Sequence, residues 1–199
     1  MARRVLWIVK GLGPGGAERL LVELAKVLDP AEVEVTCAYV LPWKDHLTGE
    51  LEAAGVRCVC LSTSRKDPRW PLRLRKLLGD GHFDVVHVHS PLPGSVARLV
   101  ARTLHHAPPF VATEHNAWPT FAPATRILNR LTSRVDAVTY AVSDEVRDSV
   151  RGPAAKRVRT LQHGIDVAAT ARAVVICLAF MPRLLSPRRL TRASVDERT

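Results

Sequence analysis

The sequence predicts one α/β domain built on a doubly wound, mostly parallel sheet, with helices on both faces. Seven short apolar segments alternate with amphipathic segments of helical period between residues 3 and 166, an order typical of parallel sheets. A glycine-rich turn separates the first apolar segment from the first helix, as in Rossmann-like folds. The 199 residues are enough to bury one hydrophobic core.

The first half of the chain supplies three strands and three helices. Strands are predicted at residues 5–9, 33–39 and 56–61, where β-branched and other apolar residues cluster. Helices are predicted at residues 16–28, 46–54 and 71–78. In the first of these helices, apolar residues recur at helical spacing on one stripe: Ala17, Leu20, Leu21, Leu24 and Leu28.

The second half continues the alternation. Strands are predicted at residues 83–89, 110–113, 137–142 and 158–161, and helices at residues 93–105 and 124–134. A further helix begins after Ser143, a good N-cap residue, with Asp144 and Glu145 in its first turn. In the helix at residues 93–105, four residues are expected to face the sheet: Val96, Leu99, Val100 and Leu104.

The net charge of +10 bears on possible partners. A basic surface can serve nucleic acid, anionic lipid or phosphorylated substrates, and it can also reflect an arginine-rich genome. No recognition helix or row of aromatic residues on strands accompanies the charge, so nucleic acid is not an expected partner. The basic residues of segment 65–76 surround Trp70. They indicate either contact with an anionic membrane surface or an ordinary sheet-covering helix with a solvated face.

Cysteine usage and hydropathy suggest a compartment. The four cysteines, Cys37, Cys58, Cys60 and Cys177, form no CxxC pair, so we expect reduced core residues rather than disulfides or zinc ligands. The N-terminus does not resemble a signal peptide, and the longest later apolar run, residues 173–181, is shorter than a membrane span. We expect a cytoplasmic location, with peripheral contact to the inner face of the plasma membrane as an option.

The turn after the first strand reads Gly11-x-Gly13-x-x-Gly16, which matches the dinucleotide fingerprint. Such a turn lets a phosphate or diphosphate approach bare backbone at the positive end of a helix. A dinucleotide site also requires an acidic residue at the end of the second strand to bind the ribose, and the sequence has Tyr39 and Val40 there. A sugar nucleotide, a dinucleotide and a plain strand-to-helix turn remain as alternatives at this point.

Histidines follow two later strands. His87 and His89 lie on one face of the fourth strand, and His115 comes directly after the fifth. No carboxylate or cysteine stands beside them at metal-ligand spacing, so we expect a pocket wall rather than a metal site. The sequence contains no Asp-x-Asp pair. Backbone dipoles and basic side chains are therefore expected to neutralise any bound phosphate.

Five short motifs occur in a fixed order, and together they resemble the N-terminal domain of family 4 glycosyltransferases, which have the two-domain GT-B architecture. The motifs span residues 15–19, 83–89, 113–116, 141–146 and 162–166. The resemblance implies that Gly15 and Gly16 close on the diphosphate of a nucleotide-sugar donor, and that His115 contacts the donor sugar. Arg19 and His89 are further candidates for donor or acceptor binding.

The resemblance also implies how the domain works. Family members transfer a sugar with retention of configuration to glycans, lipids or small molecules, without a cofactor or metal ion. Their nucleotide pocket and paired glutamates belong to a C-terminal domain. We therefore assign residues 1–166 to the acceptor-side domain and residues 167–199 to an irregular basic tail, and we assign no catalytic residue.

With no room for that second domain after residue 166, the chain is expected to be a truncated half-enzyme, inactive alone. Two alternatives stay open at this stage. One is a non-catalytic partner of a separate C-terminal chain. The other is a dinucleotide-binding oxidoreductase domain.

Overall fold

The computed structural model describes residues 2–161, which form a seven-stranded sheet with parallel pairing throughout. The strands are β1 (Arg3–Val9), β2 (Val33–Tyr39), β3 (Arg57–Cys60), β4 (Val85–Val88), β5 (Phe110–Glu114), β6 (Asp136–Ala141) and β7 (Val158–Thr160). Their order across the sheet is β3-β2-β1-β4-β5-β6-β7, so the chain starts centrally and winds outward in both directions. The predicted doubly wound, Rossmann-like fold is confirmed.

Helices connect the strands. They are α1 (Gly16–Val27), α2 (Thr48–Ala53), α3 (Trp70–Asp80), α4 (Pro91–Ala101), α5 (Pro123–Thr132) and α6 (Asp144–Ser149). Short 3₁₀ turns occupy Trp118–Thr120, Ser133–Val135 and Pro153–Lys156. Right-handed crossovers in this strand order place α1 and α2 on one face of the sheet and α3, α4 and α5 on the other. Ser143 caps α6 as predicted, because its Oγ accepts a hydrogen bond from the amide of Val146 at 3.2 Å.

The main core lies between the central strands and helices α3 and α4. Its members are buried apolar residues of β1, β4 and β5 together with Leu74 and Leu78 of α3 and Ala97 and Ala101 of α4. A Cβ at Gly94 would collide with the side chain of Val88, so glycine at this position lets α4 lie directly against β4.

Helix α4 turns to the sheet a face that differs in part from the one predicted. Val100 and Leu104 pack against the core as expected, whereas Leu99 is 43% exposed and Val96 is half-buried. The buried face instead carries small residues and a charge: Gly94, Ser95, Ala97, Arg98 and Ala101. The physical reason is that Arg98 finds an ionic partner inside the domain, while the small residues let the helix pack closely.

The cysteines follow the sheet order. Cys37 on the central strand β2 is buried, as predicted, whereas Cys58 and Cys60 are half-buried because β3 is an edge strand. All three are free thiols. Cys177, the predicted tail and the motif at residues 162–166 lie outside the described residues. Within residues 2–161, no helix is long and apolar enough to cross a bilayer.

Candidate functional site

The carboxyl ends of three neighbouring strands bring the predicted site residues to one edge of the sheet. The glycine turn follows β1, His89 follows β4 and His115 follows β5, and these strands are adjacent. The amide of Lys10 donates to Ser90 Oγ at 2.9 Å, which ties the start of the glycine turn to the segment that carries His89. Ligands of open α/β sheets bind at this edge.

The first part of the glycine turn is anchored to the segment after β2. Leu12 is buried, its amide donates to the carbonyl of Lys44 at 2.6 Å, and its carbonyl accepts from the amide of Leu47 at 3.0 Å. A Cβ at Gly11 would lie 2.7 Å from the Cβ of Lys44, so the close approach of these two segments requires glycine. The turn is held in place before the helix begins.

The second part of the turn leaves backbone accessible at the start of α1. Gly15 is the N-cap residue, and Gly16 is the first residue of the helix. A Cβ at Gly16 would have no atom within 4 Å, so nothing in the described fold explains the glycine. A Cβ at Gly15 would meet the carboxylate of Glu18, which bends back over the helix start. The open space at Gly16 fits a ligand that approaches the helix N-terminus.

Arg19 is engaged with the neighbouring helix. Its guanidinium lies 2.5 Å from the carboxylate of Glu50 in α2, and both side chains are nearly half-exposed. An exposed ion pair of this kind contributes little to stability, so Arg19 exchanges partners at small cost. To contact an anionic ligand, Arg19 has to leave Glu50.

The three histidines form a row of neighbouring rings. The ring centroids of His87 and His89 are 4.0 Å apart, and those of His89 and His115 are 5.6 Å apart. His87 Nε2 lies 2.8 Å from Thr113 Oγ1, and His89 Nδ1 lies 3.3 Å from His115 Nε2. In this last contact one ring donates and the other accepts. His89 therefore influences which nitrogen of His115 carries the proton.

A buried polar network that the sequence analysis missed supports the end of β5. Arg98 forms a two-bond ion pair with Asp136, with Nε–Oδ1 and Nη2–Oδ2 distances of 2.7 Å each. Arg98 Nη1 donates to Asn129 Oδ1 at 2.8 Å, and Asn129 Nδ2 donates to Glu114 Oε1 at 2.8 Å. The network joins α4, α5 and β6 to the residue directly before His115.

Burial perturbs the two carboxyl groups of this network. It raises the pKa of Asp136 to about 6, although the Arg98 guanidinium acts in the opposite direction. Burial also raises the pKa of Glu114, with the hydrogen bond from Asn129 and the charge of Arg98 opposing the shift. Nothing in the sequence indicated this burial, because Arg98 lies off the apolar stripe predicted for its helix.

Helix α3 carries much of the basic segment 65–76 and covers the sheet with Leu74 and Leu78. Four of the basic residues have partners within the fold: Arg73 with Asp67, Arg75 with Thr103, Lys76 with Asp80, and Arg65 with the ring of Trp43. Leu72 stands among them with 67% of its surface exposed.

Metal binding was not expected at this edge. In the part of the chain that the structure describes, no group of three or more His, Cys, Asp or Glu side chains is arranged to hold a metal ion.

Comparison with known proteins places this chain in a family. The model of Glycosyltransferase Family 4 matches residues 14–169, which is more than half of the chain. The chain is also 39% identical, over 80 residues, to a phosphatidyl-myo-inositol mannosyltransferase of Propionibacterium freudenreichii subsp. shermanii. That stretch covers 39% of this chain and 20% of the relative.

Solved structures share the fold at low sequence identity. Alr3699/HepE of Anabaena, in complex with UDP and glucose, has a TM-score of 0.59 at 17% identity over 82% of this chain and 45% of its own. A glycosyltransferase of Rickettsia africae has a TM-score of 0.62 at 20% identity over 95% and 48%, respectively. The lipopolysaccharide outer core galactosyltransferase WaaB has a TM-score of 0.65 at 11% identity over 81% and 46%.

The chain thus spans about half the length of these solved structures. The family model matches residues 14–169, and the strand order with a glycine turn after β1 is consistent with that match. This chain belongs to Glycosyltransferase Family 4 and has the N-terminal-like domain of that family.

Proposed function

We propose that this chain contributes the acceptor-side half of an enzyme that transfers a sugar from a nucleotide-sugar donor, with retention of configuration. The acceptor is a glycan, a lipid or a small molecule. The observation that carries the proposal is the meeting, at one sheet edge, of an open helix start at Gly16 and the histidine row. The UDP and glucose named for HepE and the mannosyltransferase activity of the sequence relative support it.

Gly15 and Gly16 hold the donor diphosphate in this proposal. The first amides of a helix have no partner within the helix, and the aligned peptide dipoles favour an anion there. A side chain at Gly16 would occupy the space through which the phosphate approaches the backbone. Because these amides supply hydrogen bonds directly, the proposed site uses no metal ion and no other cofactor.

His115 contacts the donor sugar, and His89 holds the imidazole ring of His115 in position. A ring nitrogen of His115 donates to or accepts from a sugar hydroxyl, depending on the tautomer that the contact with His89 selects. Arg19 serves an anionic acceptor once it leaves Glu50. These roles make all five residues binding or positioning groups and none of them a catalytic residue.

Alone, the 199-residue chain is proposed to be inactive. The leaving diphosphate gains charge in the transition state, and that charge needs donors arranged around it. One helix start supplies part of this set, and a cleft open on one side does not exclude water. The proposed location is the cytoplasm, with transient contact to anionic membrane when the acceptor is a lipid.

The test joins this chain to the C-terminal half of a family member and measures sugar transfer from a panel of nucleotide sugars. We expect transfer by the fusion and none by the chain alone. Gly16→Ala and His115→Ala should each lower the rate of the fusion. Transfer by the isolated chain, or a fusion that both substitutions leave unchanged, contradicts the proposal.

Matched controls separate site effects from general damage. Gly49 lies near the start of α2, and a Cβ there also meets no atom within 4 Å, so Gly49→Ala repeats the chemical change away from the site. His106 is exposed near the opposite edge of the sheet, so His106→Ala is the control for His115→Ala. Both controls should keep the parent rate.

A further inference from the structure

A cavity of about 350 Å³ is lined by no residue of the glycine turn or of the histidine row. It is lined by residues of the turn Trp118–Thr120, of helix α5 and of the end of α6. Its apolar wall consists of Trp118, Pro119 and Ile127, and its charged wall consists of Arg126, Arg130 and Arg151. No carboxylate is among the lining residues.

Two of these arginines have no ionic partner in the described part of the chain. Arg126 and Arg130 are one helical turn apart on α5, so their side chains share a face. Neither guanidinium makes a hydrogen bond or an ion pair with residues 2–161. Arg151 donates to the carbonyls of Asp148 and Val150 through one nitrogen only.

Nearby acidic side chains are already engaged. Arg147 of α6 lies 2.7 Å from the carboxylate of Asp144 and 2.9 Å from that of Asp148. Neither acid lines the cavity, so neither neutralises the arginines there. The cavity therefore combines three cationic groups with an apolar wall.

The wall is held in place by contacts between its segments. The amide of Trp118 donates to Ser149 Oγ at 3.0 Å, and Ser149 Oγ donates to the carbonyl of Val146 at 2.6 Å. The Trp118 side chain is 1% exposed. Gly152 has a φ of +82°, and a Cβ there would lie 3.1 Å from Arg130 Cγ, so glycine lets the Arg130 stem rest on the backbone.

We propose that this cavity binds a phosphate monoester, with the phosphate on Arg126, Arg130 and Arg151 and the esterified group against Trp118 and Ile127. Guanidinium groups form paired hydrogen bonds with phosphate oxygens. No carboxylate lines the cavity to take up the hydrogen bonds of the three arginines. The volume suits a ligand of the size of a phosphorylated headgroup. The phosphate belongs either to a soluble metabolite or to a lipid headgroup. This inference does not rest on the proposed function.

The test follows the indole N–H signals of the four tryptophans of the isotope-labelled 199-residue chain by NMR. One arm adds glycerol 3-phosphate. The other adds vesicles of phosphatidylcholine with or without phosphatidic acid, scored by sedimentation at a salt concentration that releases the binding expected of segment 65–76. Trp118 reports on this cavity, and Trp7, whose ring lies 6.0 Å from that of His89, reports on the histidine row. We expect saturable shifts of the Trp118 signal while the Trp7 signal stays in place.

Variants assign the binding to the arginines. Arg126→Ala with Arg130→Ala should weaken binding by about tenfold or more, since a hydrogen bond to a charged group is worth roughly 1.5–3 kcal/mol, or at least one factor of ten. The matched control is Arg57→Ala with Arg102→Ala, two exposed arginines whose side chains make no hydrogen bond to the described residues. The control should bind like the parent.

The outcomes are distinct. Loss of glycerol 3-phosphate binding in the α5 double variant points to a soluble ester, and loss of vesicle binding alone points to a lipid headgroup. Equal binding by both double variants, no saturable binding of either probe, or a shift of Trp7 in place of Trp118 overturns the proposal. Should the alanine pair fail to fold, Arg126→Lys with Arg130→Lys keeps the charge, removes the paired hydrogen bonds and carries the same comparison.

Discussion

Replacing Arg98 with methionine leaves a carboxylate without its partner inside the domain. Both members of the Arg98–Asp136 pair are 1% exposed, and two hydrogen bonds of 2.7 Å join them. Removing one partner of a buried ion pair costs roughly 3–5 kcal/mol. We expect Arg98→Met to lower the free energy of unfolding by that amount, which is a large part of the roughly 5–15 kcal/mol typical of a domain.

Urea denaturation followed by circular dichroism measures this loss at pH 7. The control is Arg102→Met, the same change one turn further along the chain, where the side chain is exposed; it should stay within about 0.5 kcal/mol of the parent. Arg98→Met combined with Asp136→Leu should recover most of the stability, because an apolar pair often replaces a buried ion pair without loss. A loss below about 1 kcal/mol for Arg98→Met refutes the reasoning.

The pH dependence of the stability loss in Arg98→Met tests whether the unpaired carboxylate of Asp136 causes it. Burial raises the pKa of Asp136 to about 6 even with Arg98 in place, and without Arg98 the pKa rises further. A carboxyl with a raised pKa in the folded state binds its proton more tightly when folded. Its destabilising effect is therefore absent below the unfolded pKa, grows as pH rises from the unfolded to the folded pKa, and is fully present above the folded pKa. The deficit of Arg98→Met should be larger at pH 7 than at pH 5, and equal deficits would show that Asp136 is not responsible.

Three further predictions concern the site and the surface. Gly16→Ala and Gly49→Ala should each leave the isolated chain as stable as the parent, or more stable by up to about 1 kcal/mol, because alanine favours the helix. Thermal denaturation measures the change. A clear loss of stability for Gly16→Ala alone would show that the space at Gly16 is not open. His89→Ala should change the ring ¹⁵N shifts of His115 at neutral pH, whereas His106→Ala should not; unchanged shifts would remove the positioning role of His89. Through segment 65–76, the chain should bind anionic vesicles and sediment with them at low salt, and it should be released at high salt. Equal recovery in the supernatant with and without vesicles would show that the segment is only a solvated helix face.

Much of the fold could be predicted because its signals are local. β2 spans Val33–Tyr39 as expected, and most other boundaries lie within a few residues of those predicted. Apolar period and β-branched content act over a few residues, so the sequence displays them directly. The carboxyl-edge placement of Gly16, His89 and His115 followed from the alternation of strands and helices together with the rule for parallel sheets.

The buried network could not be predicted because its partners are distant in sequence. Arg98 and Asp136 are 38 residues apart, and Asn129 and Glu114 are 15 apart. Arg98 alone looks like a solvated charge on a surface helix, since arginine is rarely buried without a partner. Because the partner of Arg98 was not known, Leu99 was predicted to be a core residue. Arg19 looked available to a ligand because its partner Glu50 lies on another helix.

The position of the network gives it a role that stability alone does not explain. An apolar core tolerates several packing arrangements, whereas Asn129 and Arg98 offer hydrogen bonds only at fixed positions and so hold Glu114 in one place. Glu114 is the last residue of β5, and His115 follows it into the site. Stability and orientation should therefore separate in Arg98→Met with Asp136→Leu. This variant should regain stability and still show altered ring ¹⁵N shifts of His115, whereas parental shifts would mean that the network only fills space.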